Sequence, residues 1–311
     1  MREKATNPDS ITWTMGIAAA ICAQFLWGVF PAYIKLFQGV VQPQDLVAHR
    51  AIWSFVVLVV WIAIVSRRRT SDGTSLKSRM FGDRSTLGKA LLATVFILTN
   101  WLIFVWAVSN DHALDASLGY YICPLFMVLL GVVILREQLG RNKWIAIGLA
   151  ALGVTIMTWS ADSRIWIGLG VAVAFASYAF VKKKTRLSAA EGLTLETGFL
   201  LVPAILFLAW RSTIEGVVAL PDSFRLGTLL FLCGPMTVAP LFLYAFALKH
   251  VSLSTIGLLQ FIGPTIQFVL GVFFFGESFD SMRLIGFVFV WIGVILYLIT
   301  LTRQPIAKAT C

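Results

Sequence analysis

Four amides and four aromatic residues stand inside long apolar runs of this sequence, where polar atoms are costly to keep away from water. They are Gln24, Trp27, Asn100, Trp101, Tyr120, Tyr121, Gln260 and Gln267. Amides form hydrogen bonds and aromatic rings stack, so together they could line a cavity that holds an amphipathic solute. The alternative is that the amides only bond neighbouring helices, a contact worth about 0.6 kcal/mol on average in membrane bundles.

Three ionisable residues also lie about one turn inside apolar runs. His49 and Arg50 begin the second run, and Glu196 takes the corresponding place in the seventh. Charge at such depth points inward or pairs with another group, which predicts an outer gate at His49 and Arg50 and an inner gate at Glu196. The other interpretation of Arg50 is a side chain that reaches out to the outer headgroups.

The sequence carries no signature of catalysis, and a protein that is not an enzyme is predicted. HExxH, GxSxG and a phosphate-binding loop are missing from it, and its three histidines are far apart. The four cysteines have no CxxC spacing, so neither a metal site nor a cofactor is expected. Without a nucleotide site, ATP-driven transport is excluded as well.

Composition points to lipid as the main solvent. The chain has 311 residues, 59% hydrophobic and only 13% charged, whereas about a quarter of a soluble protein is charged. Its mean hydropathy is +0.86. The net charge of +10 is spread over short connections between apolar runs, so we expect a bilayer and no nucleic acid as its partner.

The apolar runs predict an all-α protein with ten transmembrane helices, since a helix needs about 20 residues to cross the hydrocarbon core. Backbone groups in lipid must bond internally, and helices satisfy that requirement. The predicted spans are 13–37, 44–66, 89–109, 114–135, 143–160, 164–182, 192–211, 226–248, 253–275 and 282–302.

Basic residues set the predicted orientation. With the N-terminus inside, nineteen Lys and Arg fall on the cytoplasmic side and five on the outer side, and Arg50 lies within a span. Such a bias predicts a multi-pass protein of a bacterial-type cytoplasmic (inner) membrane with both termini cytoplasmic.

An internal repeat appears when the sequence is shifted by 140 positions. Leu118, Pro124, Gly131 and Glu137 then fall on Leu258, Pro264, Gly271 and Glu277. The shift spans five helices, and five is odd, so the second copy must enter the membrane in the opposite sense. Two inverted five-helix repeats are therefore predicted, over 1–160 and 161–311. The repeated Pro124 and Pro264 are candidate hinges, although each could be a simple packing kink.

Several motifs together resemble the RarD-type permeases, in the EamA branch of the drug/metabolite transporter superfamily. The resemblance covers nearly the whole chain. It is carried by the stretches at 27–28, 49–54, 100–101, 117–120 and 260–265, which read WG, HRAIWS, NW, SLGY and QFIGPT. It implies ten helices in two inverted repeats, a central cavity, alternating access, and export or exchange of small molecules. One departure is Cys123 before Pro124, where relatives usually have Asn; if that Asn touches substrate, ligand choice here differs.

The predicted function is therefore transport of small organic solutes, such as metabolites or drugs, by alternating access at a central cavity. Helices three, four, eight and nine are expected to line it, with parts of one and six. The alternatives are a lipid-intermediate flippase, an intramembrane enzyme and a channel. A lateral opening beside a basic patch would favour the flippase. Two converging titratable groups would favour the enzyme, and a continuous pore would favour the channel. A monomer is plausible, and the oligomeric state is left open.

Overall fold

The computed structural model of the chain describes residues 8–68, 80–109, 113–159, 165–214, 223–274 and 281–303. Within these ranges the backbone is helical apart from short connections, and they contain no strand. The helices are α1 (Pro8–Ile34), α2 (Pro43–Arg68), α3 (Arg84–Ser109), α4 (Ala113–Val133), α5 (Arg141–Trp159), α6 (Ile165–Lys184), α7 (Ala189–Ile214), α8 (Phe224–His250), α9 (Leu253–Leu259), α10 (Ile262–Phe273) and α11 (Ser281–Arg303).

Every predicted span coincides with a helix, except that the ninth is divided in two. α9 ends at Leu259 and α10 begins at Ile262. Seven helical stretches in the described residues are long and apolar enough to cross a membrane, and Leu118–Val133 and Leu284–Thr300 are shorter apolar helices. The all-helical class of the protein is confirmed.

Short polar residues fix where several helices begin. Ser188 and Glu191 form a reciprocal capping box at the start of α7, in which each backbone N–H donates to the other's side chain. Ser223 caps α8 by accepting from Leu226 N, and Ser252 caps α9 by accepting from Thr255 N. These bonds satisfy amide groups that a helix leaves unpaired at its first turn.

Glycine allows α5 and α11 to approach until their backbones touch. A Cβ on Gly293 would stand 2.7 Å from the Ala146 carbonyl oxygen, and a Cβ on Gly153 would meet the Gly286 carbonyl oxygen. Small residues at such crossings let dispersion contacts build up where lipid supplies no hydrophobic drive. The contacts run in opposite chain directions, so the two helices are antiparallel.

The same opposite running order relates α4 to the broken ninth span. Cys123 lies beside Gln260, Gly131 beside Ser254, and the Glu137 carboxylate bonds the Leu253 backbone N–H at 2.7 Å. Helix α6 packs against both α3 and α4 and is among the most enclosed elements, with Ala172 and Ala176 fully buried. Helices α1, α6 and α8 contribute to one buried apolar cluster in the interior of the bundle.

Candidate functional site

A cavity of about 620 Å³ enters the bundle between α1, α2 and α3. This volume is within the range of about 300–1,000 Å³ that small-molecule sites occupy. At its mouth are the exposed residues Lys35 and Gln38, in the connection between α1 and α2, and Pro43, the first residue of α2. The cavity therefore opens at the end of the bundle that carries this connection.

The floor of the cavity lies about halfway along the bundle. Gln24, Gln260, Phe175 and Leu241 form this deepest part. From Gln24 to Ile34 the α1 helix rises about 15 Å, which is half of a hydrocarbon core of about 30 Å. The geometry therefore gives a site at mid-membrane depth that is reached from one end.

Seven of the eight candidate cavity residues line this space. They are Gln24, Trp27, Asn100, Trp101, Tyr120, Gln260 and Gln267. Tyr121 does not line it, because its hydroxyl donates to the Pro264 carbonyl at 3.2 Å and its ring packs on Phe287. The two side chains point about 100° apart around the helix, and in α4 this places Tyr120 on the cavity and Tyr121 away from it.

The Arg50 guanidinium contacts two aromatic rings on the cavity wall. Its central carbon lies 4.9 Å from the Phe30 ring centroid and 4.9 Å from the Trp101 centroid. Nε donates to Thr237 Oγ1 at 3.1 Å. Ring faces attract a cation most strongly where it is shielded from water, so this position keeps Arg50 charged inside the bundle.

Polar contacts behind Arg50 fix a second part of the wall. Asn100 Nδ2 donates to the Val171 carbonyl at 3.0 Å, and the Tyr120 hydroxyl reaches Asn100 Oδ1 at 3.5 Å. Asn100 is buried and Tyr120 is half-buried. The carbonyl bond orients the amide, which in turn presents its oxygen towards Tyr120.

Three glutamines surround the floor and differ in how their amides are used. Gln260 Nε2 donates to Cys123 Sγ at 3.4 Å, and its oxygen accepts from the Tyr244 hydroxyl at 3.3 Å. Gln267 Nε2 donates to the Trp27 carbonyl at 3.1 Å. Gln24 is only 2% exposed, and its Nε2 has no hydrogen-bond partner among the described residues. A buried donor without an acceptor is costly, so this atom suits a ligand that brings one.

The gate candidates occupy different places. Arg50 lines the cavity, but His49 is buried in α2 outside the lining, with Asp45 as its charged neighbour. Glu196 is far from the mouth. Lys182 Nζ donates to its Oε1 at 2.7 Å, and the Tyr178 hydroxyl donates to its Oε2 at 3.1 Å. The structure does not bring the three gate candidates together.

Contacts at that far end close the bundle. Lys183 Nζ donates to the Leu248 and Val251 carbonyls at 3.0 and 2.6 Å, which ties α6 to the end of α8. Glu137 accepts from the Ser254 N–H at 3.0 Å, which ties the end of α4 to the start of α9. Its repeat counterpart Glu277 lies outside the described residues. Two charged groups, the Lys183 ammonium and the Glu137 carboxylate, thus join four helices where the cavity does not reach.

The two hinge candidates differ in their surroundings. Pro124 lies inside the continuous helix α4, whereas Pro264 is the third residue of α10, just after the break. Pro264 also lines the cavity. Only the second proline therefore stands beside an interruption in the helix.

The sequence-based expectation about the walls was wrong in one respect, because α2 supplies several of them. Pro43, Leu46, Val47 and Arg50 all come from this helix, while α4 supplies only Tyr120 and α8 only Leu241. A second feature that sequence reasoning missed is the pair Asp45 and Arg211, joined by two hydrogen bonds of 3.0 and 2.9 Å. The sequence offers no signal that pairs these two residues, because a basic residue near a span end can instead reach the headgroups.

No cluster of three or more His, Cys, Asp or Glu that could hold a metal ion occurs in the part of the chain that the structure describes. The titratable side chains along the cavity are Lys35, Arg50 and Tyr120. The site is therefore a mostly apolar cavity, rich in aromatic rings, with one enclosed cation and one unsatisfied amide donor.

The EamA-like transporter family matches the chain twice, over residues 14–159 and 163–299. An uncharacterized transporter of Vibrio cholerae is 37% identical over 94% of both chains. Protein RarD of Escherichia coli is 36% identical over 93% of this chain and 95% of its own, and the chloramphenicol-sensitive protein RarD of Pseudomonas aeruginosa is 28% identical over 90% and 92%. A crystal structure of another protein has a TM-score of 0.68 at 17% identity, over 94% of this chain and 98% of that one, which is a likeness of fold alone.

Proposed function

We propose that this chain, which belongs to the EamA-like transporter family, exchanges small organic solutes across a bacterial cytoplasmic membrane by alternating access. Family membership and the apolar helices establish a multi-span membrane transporter. The observation that carries the finer proposal is the cavity itself, which opens at one end, ends at mid-depth, and is separated from the other end by the buried Lys182–Glu196 ion pair.

All ten helical spans cross the membrane in this proposal, in two inverted repeats over 1–160 and 161–311. The two family matches divide the chain at the same place. Helix pairing supports the inversion: α1 packs on α8 as α6 packs on α3, and α2 packs on α8 as α7 packs on α3. In each comparison, both helices of one pair are replaced by the helices five spans away in the chain. The antiparallel pair α5 and α11 occupies the fifth place in both halves.

The orientation of the proposal places both termini in the cytoplasm. Basic residues favour the cytoplasmic side, and Lys182, Lys183 and Lys184 lie at the closed end of the bundle. The mouth beside Lys35 then faces outward, so the described conformation is outward-open. Rocking of the halves would break the bonds of Glu137 to Leu253 and Ser254, which cross from the first half to the second, and close the walls around Arg50.

Transport fits this cavity better than intramembrane catalysis does. Among the described lining residues, Arg50, Lys35 and Tyr120 are the ionisable groups, and no carboxylate stands beside them to act as a base. General acid–base chemistry needs two such groups within hydrogen-bond reach of a substrate.

Counterflow in proteoliposomes tests the proposal. Vesicles loaded with one unlabelled amino acid, nucleoside or chloramphenicol are diluted into a trace of the same labelled compound. Transient accumulation of label is expected for at least one compound, because a carrier exposes its site to each side in turn, whereas a channel only equilibrates. Gly263→Leu, which fills the floor next to Gln24 Oε1, should abolish it. Gly148→Leu, which adds the same side chain in open space, should not.

The proposal is wrong if no compound shows saturable exchange, or if the filled variant exchanges as fast as the control. Membrane yield and unfolding temperature of both variants must be measured in parallel, so that a folding defect is separated from a blocked cavity.

A further inference from the structure

We infer that the cavity binds an amphipathic organic carboxylate, with Arg50 holding the carboxylate and Gln24 contacting a hydrogen-bond acceptor at the other end of the same molecule. The inference rests on the proposed function, in that it takes this cavity as the solute site, and it adds the chemical class of the solute.

The charge of Arg50 has no counter-charge in the cavity. The described lining contains two cations, Arg50 and Lys35, and no Asp or Glu. Asp45, the acid on the same helix, is committed to Arg211 through two hydrogen bonds. None of the described carboxylates forms an ion pair with Arg50. An unpaired charge at membrane depth is unfavourable, and an anionic ligand removes that cost.

The way Arg50 is held leaves one edge of the guanidinium for a ligand. The Phe30 and Trp101 rings each lie 4.9 Å from its central carbon, and Nε is used by Thr237. The two terminal nitrogens have no hydrogen-bond partner among the residues described, and the Arg50 side chain lines the cavity, so both are available to a ligand there. Two parallel N–H groups on one planar edge match the two oxygens of a carboxylate.

The body of the ligand must be apolar or aromatic. Between Phe30, beside the guanidinium, and Gln24 on the floor, α1 rises about 9 Å. Trp27 stands in this interval, with Phe175 5.9 Å and Tyr244 5.1 Å from its ring. Aromatic walls favour rings and alkyl groups by burial and by edge-to-face contact.

Gln24 supplies the independent second contact. It is 2% exposed, it lines the cavity, and its Nε2 is without a partner among the described residues. The cavity thus has two hydrogen-bond donors from Arg50 at one end and the unpaired donor of Gln24 at the other. A ligand that matches it carries a hydrogen-bond acceptor at each end. An ammonium group would find no carboxylate in either place, so amines and free amino acids are disfavoured relative to plain carboxylates.

Matched triads of probes test this class. Each triad shares one body and differs in one group: indole-3-acetate, indole-3-acetamide and tryptamine form one, and 4-hydroxyphenylacetate, its amide and tyramine form another. Binding to the purified full-length protein in detergent is measured as a rise in unfolding temperature with concentration. The carboxylate of a triad should bind at least about tenfold more tightly than its amide or amine, because one charge-assisted hydrogen bond accounts for that factor.

Variants assign the effect to the two residues. Arg50→Gln should weaken carboxylate binding about tenfold or more, and Arg50→Lys should weaken it less. Arg225→Gln removes the same charge from an exposed site outside the cavity and should leave binding unchanged. Gln24→Leu should weaken 4-hydroxyphenylacetate but spare phenylacetate, which lacks the distal acceptor.

Three outcomes overturn the inference: amide or amine binding as tightly as carboxylate, full carboxylate binding in Arg50→Gln, or no carboxylate binding at all. A phosphate monoester that binds more tightly than the carboxylate of the same body also overturns it. Counterflow of the same probes separates the two proposals. Selective binding without exchange refutes transport and leaves the ligand class standing, whereas exchange of neutral solutes that is indifferent to Arg50 does the reverse.

Discussion

Lys182 and Glu196 meet at 2.7 Å with both side chains almost fully buried, at the end of the bundle that the cavity does not reach. The Tyr178 hydroxyl bonds the second carboxylate oxygen. Two helices, α6 and α7, are joined by this contact, and it stands in a place where neither charge can find water.

Loss of one partner of this pair should destabilise the protein strongly. Glu196→Met or Lys182→Met leaves an unpaired buried charge, which costs roughly 3–5 kcal/mol. The double variant, which removes both charges, should recover most of that loss. Unfolding of the four proteins in detergent measures the coupling. Equal and additive losses in the two single variants would contradict a coupled pair.

The break between α9 and α10 should depend on Pro264. An alanine there supplies an N–H that can bond the Gln260 carbonyl, so α9 and α10 can merge and carry Gln260 out of the floor. Pro264→Ala should therefore slow exchange several-fold, measured by counterflow, with little change in unfolding temperature. Pro124→Ala, in a helix that is already continuous, is the matched control and should slow exchange less. Unchanged rates in both variants would show that neither proline is a hinge.

The seam between α5 and α11 should not tolerate a side chain. A Cβ at Gly293 would stand 2.7 Å from the Ala146 carbonyl oxygen, so Gly293→Ala must push the helices apart and lower the unfolding temperature. Gly148→Ala, in α5 but with open space around it, should be neutral or slightly stabilising, because alanine is the better helix former by about 1 kcal/mol. A stable Gly293→Ala would mean that the seam is looser than described.

Asp83 should make the start of α3 sensitive to acid. Its carboxylate accepts from the Thr86 hydroxyl at 2.7 Å and from the Thr86 and Ser85 N–H groups at 3.1 and 3.0 Å. These bonds, the Thr86 hydroxyl first among them, lower the pKa of Asp83 below its usual value. A lowered pKa stabilises the fold above the unfolded pKa of about 4, and the benefit is lost as pH falls through the folded pKa.

Asp83→Ala should therefore unfold at a lower temperature than the parent at pH 7, and the difference should shrink in strong acid. Unfolding temperatures at a series of pH values check this. Thr86→Val, which keeps the carboxylate but removes the first of its partners, should give a smaller loss. A difference between Asp83→Ala and the parent that persists at pH 2 would point to a cause other than ionisation.

Hydropathy predicted the helices well, because each predicted span is a long apolar run and coincides with helical backbone in the described residues. It predicted the rotation of each helix poorly. In a soluble helix the apolar stripe shows which side faces the core, but here α4 is apolar all round, so Tyr120 and Tyr121 were indistinguishable. The structure separates them, with Tyr120 in the cavity and Tyr121 against Pro264 and Phe287.

Buried ion pairs were missed because charge counting assigns basic residues to loops. Lys182 and Arg211 were both placed at the membrane surface on that basis, yet each is buried and bonded to an acid on a neighbouring helix. The contribution of α2 to the cavity wall is also not predicted by the sequence. The repeated motif lies in the fourth and ninth spans, and α2 carries no copy of it, although it supplies several lining residues.

The residues that line the cavity and the residues that form the glycine seam lie in different parts of the chain. Most of the walls come from α1, α2 and α3, before residue 110, while the glycine seam of α5 with α11 lies outside the lining. The proposed solute contacts and the glycine seam are thus encoded in largely separate stretches. Under that proposal, a change of solute needs only a few side-chain substitutions in the first third of the chain and leaves the packing of α5 on α11 intact.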